Sequence, residues 1–120
     1  MNVLICDDME TDRANLRKIL TELGHIVQDV TNGEDAVSTA TRTQPKVIFL
    51  DVVMPKMDGF ATCRALKQKA ETKNIPVVVV SSKGTPSDKF WAEKQGASAH
   101  VTKPATSQEI KAALQKLGVS

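Results

Sequence analysis

Five short apolar runs, mostly β-branched, recur along the chain: Val3 to Cys6, His25 to Val30, Val47 to Leu50, Pro76 to Val80 and His100 to Thr102. Each has the length of a strand, and amphipathic stretches separate them. In the first such stretch Leu16, Ile19, Leu20 and Leu23 keep the i, i+3, i+4, i+7 spacing of one helical face, and Gly24 follows as a stop. The last repeats the spacing with Ile110, Ala113, Leu114 and Leu117, opened by Thr106 with Glu109 as a capping box and closed by Gly118. Weaker helical patterns run over 34–41, 60–69 and 87–95, with Thr85 and Pro86 opening the third and Gly96 ending it. Alternating strands and helices joined by short connections predict an α/β fold, a parallel sheet covered by helices on both faces. The unbroken valine run Val77 to Val80 suits a central strand buried on both sides.

A length of 120 residues is that of one ordinary domain, so residues 1–120 are expected to form a single domain with no linker. No apolar run approaches the roughly 18 residues of a membrane span, and Met1 leads into a short strand without a signal-peptide pattern, which predicts a cytoplasmic chain. Cys6 lies in a strand-like run and Cys63 in a helix-like one without metal-ligand spacing, so free thiols in the interior are expected. A net charge of +2, evenly scattered, and the absence of Tyr argue against a nucleic-acid surface.

In an open parallel sheet the ligand site lies beyond the carboxyl ends of the strands, where the winding direction reverses. The first strand ends on Asp7 and Asp8, the third on Asp51, the fourth on Ser81 and Ser82, and the fifth on Thr102 and Lys103. These residues are therefore expected on one rim. Three crowded carboxylates repel unless a cation intervenes, and a hard divalent ion such as Mg2+, which prefers oxygen ligands, would neutralise them together with Lys103. An aspartate nucleophile, a metal, an ammonium and a serine hydroxyl are also the parts of phosphoryl transfer to a carboxylate. Taken singly the residues have plainer readings: Asp7 and Asp8 as helix N-caps, Asp51 as a turn residue before Met54 and Pro55, Ser81 and Ser82 as strand-end residues, Lys103 as a solvated lysine.

The motifs ICDD, LDVVMPKMDG, VVVVSS and VTKP, spread over essentially the whole chain, resemble those of CheY-type receiver domains of bacterial two-component signalling. The resemblance implies a flavodoxin-like (βα)5 fold with strand order 2-1-3-4-5. It also implies that Asp51 is the phosphoacceptor, that Asp7, Asp8, Asp51 and the backbone carbonyl of Val53 hold Mg2+, and that Ser81 and Lys103 bond the phosphoryl group. The Lys103–Pro104 bond is typically cis in such domains, in keeping with the low cost of cis before proline. The stretch SSKGTPSDKFWAEKQGASAHVTKP is similar to the stand-alone receivers of type IV pilus twitching systems, the PilH type. Phe90 and Trp91, about 100° apart on a helix, cannot both face the core, and one of them is a candidate partner contact.

One departure stands out: His100 occupies the place usually held by Tyr or Phe, the aromatic switch that works with Ser81. Histidine packs less area and titrates near neutral pH, so a switching role and a plain edge-strand residue both stand. The implied function is a single-domain response regulator, a signalling switch rather than an enzyme. It would take part in its own phosphorylation and autodephosphorylation, receive the phosphoryl group from a CheA-like histidine kinase, and act as a monomer on a downstream motility or signalling protein or as a phosphate sink. Alternatives are a receiver cut from a longer regulator, and a small aspartate-nucleophile phosphatase, whose second aspartate is replaced here by Val53. A flavodoxin-like redox carrier lacks its phosphate-cradling loop and stacking aromatics here.

Overall fold

A computed structural model describes residues 1–51, 59–82 and 86–118, apart from the side chains of residues 87–89 and 91. Val53, Met54, Pro55, Thr85 and the side chain of Trp91 thus lie outside the described residues. Strands and helices alternate as β1 (Asn2–Cys6), α1 (Glu10–Glu22), β2 (Ile26–Val30), α2 (Gly33–Thr43), β3 (Val47–Leu50), α3 (Gly59–Gln68), β4 (Val77–Ser81), α4 (Pro86–Lys94), β5 (Ala99–Thr102) and α5 (Ser107–Leu117). The five strands form one parallel sheet in the order β2-β1-β3-β4-β5, the flavodoxin-like arrangement. Winding reverses between β1 and β3, which opens a crevice at their carboxyl ends.

Period-two alternation sorts the strand residues between two cores. Val3, Ile5, Val47, Phe49, Val78, Val80 and Val101 pack against Leu16, Ile19 and Leu20 of α1 and Ile110, Ala113 and Leu114 of α5. Leu4, Cys6, Ile48, Leu50, Val77 and Val79 pack against Ala36 and Ala40 of α2, Cys63 and Leu66 of α3 and Ala92 of α4. Every residue of β3 and β4 is buried, and each large aliphatic or aromatic side chain removed from water contributes about 1.5–3 kcal/mol. The three central strands therefore form a rigid mount for whatever follows them.

Local chemistry explains where the elements end. Pro76 has no N–H to give, so β4 begins at Val77, although the Pro76 carbonyl still accepts from Ile48 N at 3.0 Å. The stops expected at Gly24, Gly96 and Gly118 have φ of 90°, 95° and 72°. The end of α2 has no such signal: Gln44 turns left-handed at φ 50°, and its side-chain amide donates to the carbonyls of Ala40 (3.3 Å), Thr41 (3.2 Å) and Glu71 (2.9 Å), which offsets the cost of the turn. Thr106 caps α5 as expected, its hydroxyl oxygen accepting from Glu109 N at 3.2 Å.

Candidate functional site

The backbone ladders run one step past the strands and set the rim. Asp7 N–H donates to Val30 O at 3.2 Å, Asp51 N–H to Cys6 O at 2.9 Å, and Lys103 N–H to Ser81 O at 2.8 Å. Side chains just beyond β1, β3, β4 and β5 are thereby held on one end of the sheet. A cleft of about 280 Å³ opens there, lined by Asp8, Met9, Asp12, Asp51, Ser81, Ser82 and Lys103. Asp51 at 6% and Ser81 at 3% exposed are buried in its lining, and the neighbouring Asp7 is 1% exposed.

The plainer reading of the acidic pair fails on geometry. The residue before α1 is Met9, and no side chain caps it. Asp7 instead accepts from Met9 N through Oδ1 at 2.9 Å, an Asx turn that leads the chain into the helix and leaves Oδ2 for the site. One oxygen each of Asp7, Asp8 and Asp51 lies within 4.8 Å of the others. Three hard anionic donors, two of them buried, fit a hard divalent cation such as Mg2+ in donor type and spacing.

Lys103 is the cation of this cluster. Its Nζ donates to Asp7 Oδ2 and Asp12 Oδ2, both at 2.8 Å, and lies 3.5 Å from Asp51 Oδ1. Burial alone would push the ammonium pKa down, but the hydrogen bonds to Asp12 and Asp7 and the charge of Asp51 outweigh it and hold the group above the ordinary lysine value. The Lys103–Pro104 bond is cis. Cys6, inside the sheet next to Asp7, senses the same field: burial first, then the charges of Asp7 and Asp51, push its thiol up to about 12. Both cysteines are buried thiols outside any disulfide.

Asp12 went unnoticed in the sequence. Its signal is its place in the first turn of α1, four residues after Asp8, at the end of the helix that starts from the rim. Its approach to a lysine 91 residues away depends on the carboxyl ends of the parallel strands β1 and β5 emerging on the same rim of the sheet.

His100 pairs with Val79 in the β4–β5 ladder, two positions before the Ser81–Thr102 pair, so it points to the same sheet face as Ser81 about 7 Å away along the strand. It lines a cleft of about 210 Å³ with Ala92, Glu93, Ala97, Ala99 and Lys116, between α4 and α5. Of the two adjacent aromatic residues, Phe90 is 53% exposed, with Lys94 Nζ 5.3 Å from its ring centroid.

The sequence profile of the response regulator receiver domain matches residues 3–115. The chain belongs to the response regulator receiver family. It is 39% identical to the protein PilH of Pseudomonas aeruginosa over 90% of this chain and 89% of that protein. It is 32% identical to the protein PilG of the same organism, over 96% and 85%. Its fold superimposes on the chemotaxis protein CheY4 of Vibrio cholerae with a TM-score of 0.88 and 27% identity, covering 96% of both chains. The receiver is thus CheY-like, similar to PilH, to PilG and to a chemotaxis protein. No helix among the described residues is long and apolar enough to cross a membrane.

Proposed function

We propose that this receiver is a phosphorylation-driven binding switch with Asp51 as its phosphoacceptor, carried by one observation: the buried Asp51 carboxylate shares a cleft with two further carboxylates, a serine hydroxyl and a lysine ammonium. An oxygen of Asp51 attacks the phosphorus of a phosphohistidine on a CheA-like kinase. The new O–P bond forms as the P–N bond breaks, and the kinase's ring leaves as neutral imidazole, its proton taken from solvent. Lys103 and Ser81 donate to the phosphoryl oxygens. Asp7, Asp8, Asp51 and the Val53 carbonyl would hold Mg2+, with the Val53 assignment resting on the family resemblance alone. Bound there, Mg2+ would neutralise charge on the transferring group. Hydrolysis of the acyl phosphate at the same site returns the resting state.

Phosphorylation favours one of two pre-existing states by differential contacts, here Ser81 and Lys103 drawn toward Asp51, with His100 behind Ser81 adjusting to the change. Phe90 and Trp91 on α4 form the contact for a downstream motility or signalling protein. Similarity to PilH and PilG supports a type IV pilus or related motility pathway, in which the chain works as a cytoplasmic, single-domain monomer or as a phosphate sink. Acetyl phosphate should add one phosphoryl group by intact mass only with Mg2+, with a matching change in Trp91 fluorescence, and Asp51→Ala should abolish both. An equal mass gain in Asp51→Ala would refute the assignment. A His100→Ala protein whose partner affinity still responded fully to phosphorylation would remove His100 from the switch.

A further inference from the structure

Asp12 lies outside the set of residues that the phosphoacceptor reading requires, yet it holds the lysine that reading depends on. Two of the three donors of the Lys103 ammonium go to Asp7 and Asp12 at 2.8 Å, while Asp51 stays at 3.5 Å, beyond the usual length of a charge-assisted hydrogen bond. The two anchors differ in character. Asp7 is 1% exposed and also bound to Met9 N, so it is fixed, whereas the Asp12 side chain is 36% exposed and can exchange its lysine for water. Asp12 also lines the cleft into which a phosphoryl group on Asp51 would project.

We propose that Asp12 is a positioning residue that competes with the phosphoryl group for the Lys103 ammonium, and so sets how tightly and how long the site holds that group. The inference rests on the phosphoacceptor reading of Asp51. Phosphorylation replaces the single charge of a carboxylate by a dianion in the same cleft, so the resting contact between Asp12 and Lys103 must be shared or given up. Asp12 then faces the new charge with its own. Both effects favour the unloaded state, and both vanish with the Asp12 charge. An acid in the first turn of a helix also interacts favourably with the helix N-terminus, but that effect is the same in the loaded and unloaded states and cannot move the equilibrium between them.

The test titrates beryllofluoride, a phosphoryl mimic, into the full chain with Mg2+ by 19F NMR, and follows by intact mass the decay of protein loaded with acetyl phosphate. Asp12→Asn should bind beryllofluoride about fivefold more tightly and lengthen the phosphoryl half-life by a similar factor, the scale of one partly exposed charge contact. Asp12→Glu should restore wild-type behaviour, and about 0.5 M salt should narrow the difference between Asn and wild type, since an exposed carboxylate is screened. Asp12→Ser serves the same comparison should Asn disturb α1. Unchanged affinity and lifetime in the neutral variants, or a Glu variant that behaves like Asn, would overturn the proposal alone. A wild type that takes up neither beryllofluoride nor phosphoryl would overturn the phosphoacceptor reading first.

Discussion

Replacing Lys103 by methionine removes the ammonium and keeps most of the stem, which isolates the charge. In the intact protein that ammonium lies 2.8 Å from Asp7 and Asp12 and 3.5 Å from Asp51. Without it the oxygens of Asp7, Asp8 and Asp51, within 4.8 Å of one another, repel by at least ~3.5 kcal/mol per pair at an effective dielectric constant near 20. Stripping one partner from a buried ion pair costs roughly 3–5 kcal/mol, and the exposure of Asp12 and of part of the Lys103 head lowers the expected loss to about 2–3 kcal/mol near pH 7.5. The remaining carboxylates can relieve their repulsion by binding a divalent cation, so Mg2+ should shrink the deficit. In the wild type Lys103 stays charged at that pH, because its raised pKa confines the loss of its contribution to strongly alkaline solution. Urea unfolding followed by circular dichroism at pH 7.5, with and without Mg2+, reads both effects. A loss below about 1 kcal/mol, or one indifferent to Mg2+, would show that the ammonium does not hold this cluster together.

Two further perturbations probe the scaffold. Gly96 has φ of 95°, and a Cβ there would come within 2.8 Å of Lys67 Cγ, so Gly96→Ala should cost about 1–3 kcal/mol and lower the thermal midpoint by several degrees; an unchanged midpoint would refute the strain. Burial, with Lys67 and Arg64 opposing it, pushes the Cys63 thiol up to about 11, and burial together with nearby aspartates pushes Cys6 up to about 12, against 9.0 for a free thiol. Both pKa values are raised, so above pH 9 the unfolded chain loses these protons first. The stabilisation is full below pH 9 and is lost as pH climbs through the folded values, at about 1.4 kcal/mol per pH unit for each thiol. Urea midpoints at pH 8.5, 9.5 and 10.5 should fall less steeply in Cys63→Ala than in wild type, and equal slopes would show that the thiol is not protected.

Much of this protein was legible from local pattern. The five strands, the buried faces of α1 and α5 and the residues on the carboxyl rim follow from periods of two and 3.6 and from the rule that parallel strands share one carboxyl end, none of which needs long-range information. Helix ends that rely on glycine were equally readable, while the Gln44 turn was not, because the acceptor at Glu71 that helps secure it lies in another loop. What tertiary structure decided is the pairing inside the site. Sequence placed Asp7, Asp8, Asp51, Ser81 and Lys103 together but could not say which carboxylates would hold the lysine. That depends on differences of under an ångström in the reach of Lys103 Nζ to Asp7, Asp12 and Asp51, from segments as far as 91 and 96 residues away, set by strand order and by the Asx turn that leads β1 into α1. The chain's own periodicity determined that an aspartate would end a buried strand beside other acids; the packing of the first helix against the rim decided that a fourth acid, Asp12, would share their lysine.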